Sequence, residues 1–173
     1  MTCRPVHLLT SRASSAQRKH FGVFIPFAKD PQNGTVIHVV GAPMVGYKLE
    51  FKRNFSPSTA QPPHKSVLIG HVVADLVTDG ETNIDSTVME LDYTPKSELE
   101  KTASQLPPPP ISKNFMAPVD GVYNRRCQEW TMEFIERLVS RKYIEAEALC
   151  TAESQRDPPT HGVGLQPVSG VQK

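Results

Sequence analysis

Cysteine is scarce in this chain of 173 residues, which has only Cys3, Cys127 and Cys150. A secreted disulfide framework carries more cysteines, in even number and in a shorter chain, so none is expected here. No pair stands at zinc-ligand spacing, and neither a metal nor a cofactor is expected. Long apolar runs are missing too: nothing approaches the roughly 18 residues of a membrane span. Residues 1–10 hold only Val6, Leu8 and Leu9 as an apolar patch and lack a signal-peptide core. Charge of one sign is absent, since 19 basic residues face 18 acidic ones for a net charge of +1. That balance offers no basic face for nucleic acid and no acidic solvating block. A reducing, cytoplasmic setting is expected, with neither a nucleic-acid partner nor a membrane span.

What the chain has in quantity is proline, 16 residues in clusters, and clustered proline marks connections rather than elements. Residues 6–10 read as a short strand. His20-Phe21-Gly22-Val23-Phe24-Ile25 is an aromatic and β-branched run that Pro26 stops. Asn33-Gly34 is a hairpin turn, and residues 35–40 are its second strand. Residues 47–52 alternate apolar and polar as a half-buried strand does. Residues 67–77 read as another, with Gly70 as a bulge. This first half predicts a β-meander. Helices follow: Thr94-Pro95 with Glu98 predicts one over 95–105. Residues 124–149 predict a longer one, with Trp130, Phe134, Leu138 and Val139 on one face and Glu129, Glu133, Glu136, Arg137 and Arg141 opposite. The expected architecture is α+β, an antiparallel sheet packed against that C-terminal helix. It is expected as one domain over 1–173, with Pro-rich loops at 56–65 and 107–114 and an extended tail over 151–173. Residues 107–110, four prolines, read as a stiff connector.

Cys127 falls in the first turn of the longer helix, on the face of Trp130 and Phe134. A thiol there feels unpaired N–H groups and the positive end of the helix dipole, and Arg125 and Arg126 stand beside it, all of which favour thiolate. A buried core cysteine is the plainer reading. Upstream, His20 and His38 lie on strands joined by the Asn33-Gly34 hairpin and can face one side of the sheet. A cysteine nucleophile needs a histidine base, and the base needs an orienting group.

These segments, His20-Phe21-Gly22-Val23-Phe24-Ile25, Val36-Ile37-His38 and Cys127-Gln128-Glu129-Trp130, resemble the lecithin retinol acyltransferase and NlpC-type group of circularly permuted papain-like proteins. The resemblance covers residues 6–149, and small uncharacterised fungal proteins look similar over most of the chain, a likeness that implies small-molecule biosynthesis. The resemblance implies Cys127 as nucleophile, His20 as general base and His38 as the group that orients His20. It implies thiol-dependent hydrolysis or acyl transfer on a small-molecule ester, thioester or amide. Two departures stand out. Arg126 occupies the place where the group often has asparagine, with Asn124 three residues before the cysteine, and the hairpin between the histidines is longer.

Rival readings remain. His71, beside Gly70, is an alternative third member. His20 and His38 suit a proton-transferring isomerase or cyclase with Cys127 incidental, and a non-catalytic binding module is a third reading. His161-Gly162-Val163-Gly164 lacks strand or helix context and reads as loop. Asp75, Asp79, Glu81 and Asp85 read as solvated loop charge rather than a cation site.

Overall fold

Period-2 alternation dictates where the two sides of each strand go, and the computed structural model, which describes residues 1–80 and 88–163, follows it. The strands are β1 (Cys3–Ser11), β2 (His20–Pro26), β3 (Gly34–Ala42), β4 (Gly46–Phe55), β5 (Lys65–Val73) and β6 (Glu90–Asp92). They form one antiparallel sheet in the order β5-β1-β2-β3-β4-β6. The helices are α1 (Glu98–Ser104), α2 (Cys127–Ser140) and α3 (Glu147–Glu153).

The odd-numbered residues of β2 and β3, Phe21, Val23, Ile25, Ile37 and Val39, point to one side. There they meet Leu99 of α1, Trp130, Phe134 and Leu138 of α2, and Ala148 of α3 in a single apolar cluster. Trp130 is fully buried, stacks on Phe134 at 5.5 Å and donates from Nε1 to Leu106 O at 3.3 Å. The opposite face carries a smaller cluster of Leu9, Phe24, Val36 and Phe55, with Ala60 of the Pro-rich loop packed on it. His64 closes the same loop edge-on to Phe55, their rings 5.2 Å apart.

Several expectations change. The first half is not a simple meander, because β5 crosses back to pair with β1 at the far edge while the short β6 adds to β4. β5 ends at Val73 in a 3-10 turn, Ala74–Leu76. Its register slips at Ile69, beside Gly70. A Cβ on Gly70 would come within 2.7 Å of Ile144, so close packing accounts for that glycine. α1 starts later than expected, because Ser97 caps it: its Oγ accepts from Glu100 N at 3.2 Å. The expected helix over 124–149 is two. α2 ends at Ser140, Lys142 takes a left-handed turn at φ 58, and Tyr143 N bonds back to Leu138 O at 2.9 Å. That is the backbone pattern of a helix end, formed here without the usual glycine, and it sends Ile144 into the core. The described part of 151–173 is no extended tail either, since α3 runs into it and Asp157 is buried. Residues 164–173, and Glu81 and Asp85 of the acidic patch, lie outside the described residues. Among the described residues no helix is long and apolar enough to cross a membrane.

Candidate functional site

In β2 the even-numbered residues His20, Gly22 and Phe24 share the face away from α2, and in β3 so do Val36 and His38. Gly22 leaves room there, since a Cβ on it would sit 2.9 Å from Val36 Cγ1 and 3.5 Å from His38 Cβ. His20 Nε2 and His38 Nδ1 are 2.8 Å apart, with the rings at 77°. Directly across the ladder from His38 stands Glu50 of β4, buried, with its Oε1 3.1 Å from His38 Nε2. Tyr93 donates its hydroxyl to the other oxygen of Glu50 at 3.0 Å.

This chain fixes the protons. A carboxylate only accepts, so His38 donates from Nε2 and its Nδ1 is bare. That bare nitrogen accepts from His20 Nε2–H, which leaves the proton-free lone pair of His20 on Nδ1. Among the described residues Nδ1 of His20 makes no hydrogen bond. Burial, with the charges of Lys52 and His64 nearby, lowers the His20 pKa to about 4. Burial lowers His38 as well, with His20, Lys52 and His64 adding to it. Both rings are neutral at pH 7.

Cys127 is the first residue of α2, and Glu129 completes the helix start by accepting from Arg126 N at 2.8 Å. The expected thiolate is not favoured. Burial pushes the thiol up to about 11; the backbone N–H of Phe21 and the charge of Arg18 work against this, and Glu129 adds to it. The two arginines invoked from sequence make their hydrogen bonds to groups other than the thiol. Arg125 pairs with Glu133, and Arg126 donates to the carbonyls of Gly162 and Phe115, each at 3.0 Å. Cys127 Sγ donates to Lys19 O at 3.8 Å and not to His20.

Cys127, His20 and His38 nevertheless open onto one cavity of about 670 Å³, whose wall also holds Tyr47, Arg18 and Arg126. The helix-opening cysteine therefore shares a cavity with the histidine pair. Burial and the proximity of Cys127 raise the Tyr47 pKa well above its ordinary value, so its phenol stays a hydrogen-bond donor.

A second polar network holds this end of the molecule together. Gln128, fully buried, donates from Nε2 to Lys19 O and to Asp157 Oδ2, both at 2.9 Å. Asp157 returns a bond from its backbone N–H to Gln128 Oε1 at 3.0 Å and accepts from Lys19 N at 2.7 Å. Arg12 pairs with Asp157 at 2.7 Å, and Arg18 with Glu129 at 2.9 Å. The loop before His20 and the segment after α3 are thereby tied to the first turn of α2. Glu50, Tyr93, Tyr47, Gln128 and Asp157 were not singled out from sequence. Only Glu50 carried a usable signal, because its parity on β4 matches that of His38 on β3.

Of the other described candidates only Gly162 reaches the cavity wall, where its carbonyl accepts from Arg126 at 3.0 Å. His71 is exposed on the edge strand β5. Asp79 is held by Arg4 at 2.7 Å and by Ala28 N at 3.0 Å. His161 and Gly162 form a turn, with His161 Nε2 3.2 Å from Gln17 O. Among the described residues no group of His, Cys, Asp and Glu could hold a metal ion.

Fold and cavity together define an α+β protein in which a helix-opening cysteine and a hydrogen-bonded histidine pair share one pocket. The chain belongs to a family of unknown function, DUF6540, whose sequence model matches residues 6–145. That span includes Cys127, His20, His38, Glu50 and Tyr93, and stops short of Asp157. No curated protein and no solved structure matches the chain.

Proposed function

We propose that the chain is a thiol-dependent hydrolase or acyltransferase in a permuted papain-like arrangement, acting on a small-molecule ester, thioester or amide. The observation that carries this reading is the shared cavity: Cys127 opens onto it together with His20, whose ring is held by His38 and Glu50 with Nδ1 unprotonated. Thiol and imidazole both rest neutral, so the proton moves as the bond forms. Sγ attacks the acyl carbon and its proton passes to His20 Nδ1. The bond to the leaving group breaks, and that group takes the proton from His20. Water or an acceptor hydroxyl or amine then repeats the sequence on the acyl-Cys127 thioester, and the thiol is restored. The backbone N–H of Cys127 and the Tyr47 hydroxyl are the donors for the oxyanion.

The test is intact-mass detection of an adduct on Cys127 after incubation with activated esters and thioesters. Cys127→Ala should lose the adduct, and His20→Ala should slow its formation by about 100-fold or more. Labelling that persists in Cys127→Ala, or that ignores His20→Ala, overturns the assignment. A second reading has its own support: the chain His20–His38–Glu50–Tyr93 is complete without the thiol, which bonds to Lys19 O. A proton-transferring isomerase built on it would keep most of its activity in Cys127→Ala and lose it in His20→Ala.

A further inference from the structure

The wall of the cavity is charged in one sense. Arg18, Lys19, Lys52 and Arg126 line it, and no carboxylate does. Three of these charges, Lys19, Lys52 and Arg126, make no ion pair with a carboxylate among the described residues. Arg126 is half-buried, donates only to the carbonyls of Phe115 and Gly162, and leaves its Nε buried without a partner. Lys52 lies over the Phe55 ring at 4.9 Å. Arg18 is different: its side chain is 5% exposed and is paired with Glu129, a carboxylate it shares with Arg156. Its Nε is also buried and unpartnered.

A cation drawn out of water without a counter-charge is costly, and a guanidinium in a cavity wall presents a fork suited to carboxylate or phosphate oxygens. We infer that this cavity receives an anionic group of its substrate, a carboxylate or a phosphate, against Arg126 and Lys52 and beside Cys127. This deepens the acyl-transfer reading by naming its substrate class, an acyl compound with a negative charge a few bonds from the carbonyl. Burial weakens the hold of Arg126 on its proton, with Arg18 adding to it and Tyr47 and Glu129 opposing; a bound anion would strengthen that hold. The same anion would stabilise the His20 imidazolium that forms during acylation.

Binding and chemistry can be tested apart. In the first arm, glutarate, phenyl phosphate and neutral glutaramide are titrated calorimetrically into the wild type and four variants. The expected result is that at least one anion binds, that glutaramide does not, and that Cys127→Ala binds like the wild type. Arg126→Gln and Lys52→Gln should each weaken binding about tenfold or more, with Arg126→Lys recovering part of it. Arg126 also holds two loop carbonyls, so Lys52→Gln keeps the test valid should Arg126→Gln misfold. The tighter of the two anions names the group. Failure of both anions to bind, equal binding of glutaramide, or indifference to both Gln variants overturns the inference.

The second arm compares acylation of Cys127 by mono-p-nitrophenyl glutarate and by p-nitrophenyl pentanoate, which differ in the terminal charge. The anionic ester should react faster, and Lys52→Gln should shrink the ratio. Equal rates would sink the anion inference and leave the acyl-enzyme reading standing. Anion binding with no adduct from either ester would do the reverse.

Discussion

On one face of the sheet, Phe21, Val23, Ile37 and Val39 press against Trp130, Phe134 and Leu138 in an apolar cluster. On the other, β2, β3 and β4 turn out His20, His38, Glu50 and Lys52, beside the small apolar cluster on which the loop carrying Ala60 packs. The first face needs only volume and shape, because apolar burial is non-directional. The second removes polar groups from water, and each then has to find a partner at hydrogen-bond distance. The two faces therefore answer for different things, one for stability and the other for where protons sit.

If this division is right, mutations on the two faces should differ in size and kind. The largest effect belongs to the helix face. Trp130→Ala should cost about 3–5 kcal/mol, the range for removing a fully buried aromatic, and should shift the urea midpoint without altering the His20 ring. An unchanged midpoint would mean that the Trp130 side of α2 is not packed. On the histidine face, Glu50→Leu should cost about 1–3 kcal/mol by stranding His38 Nε2 in a buried site. Glu50→Gln should cost less, since its amide oxygen still accepts from Nε2. Nitrogen-detected NMR of the imidazoles adds a readout that packing would not move: Glu50→Leu should let His38 change tautomer and Glu50→Gln should not.

The helix face was the more legible of the two in the sequence. Trp130, Phe134 and Leu138 recur at helical spacing, and the alternation of β2 and β3 gives their inner residues directly. The pairing of His20 with His38 was also legible, because the Asn33-Gly34 hairpin joins two strands whose parities agree. What alternation cannot say is whether the outer face meets water. Only the register, which sets Glu50 opposite His38, shows it as a buried partner. Cys127 was placed correctly at the helix start, but its thiol was read as thiolate because a sequence shows the dipole and not the depth of burial. The break at Lys142 was hidden because a lysine holds the left-handed position normally given to glycine. Tyr93 and Asp157 reach the site from segments far away along the chain, through contacts with no local signature.

The smallest predicted effect is a slope, and it separates the histidine face from everything else that titrates. His20 has a folded pKa of about 4 against 6.5 for a free imidazole. Between those values the unfolded chain binds a proton that the folded chain refuses, so stability rises with pH there and falls on acidification. The contribution is present in full above pH about 6.5, is lost as pH drops toward about 4, and changes no further below. Its slope is at most about 1.4 kcal/mol per pH unit for one group. His7 and His64 are lowered by burial and tilt the curve the same way, while Asp92 and Asp157, held below their usual range, add the same sign at lower pH. The difference between wild type and His20→Gln removes the background of the other groups and reads His20 together with the part of the His38 shift that His20 causes. Urea unfolding at pH 4.5, 5.5, 6.5 and 7.5 should give a gap between the two proteins that narrows as pH falls, because the variant has no proton to refuse. A gap that stays constant with pH would show that His20 is not held neutral, and the assignment of its Nδ1 as the base would fall with it.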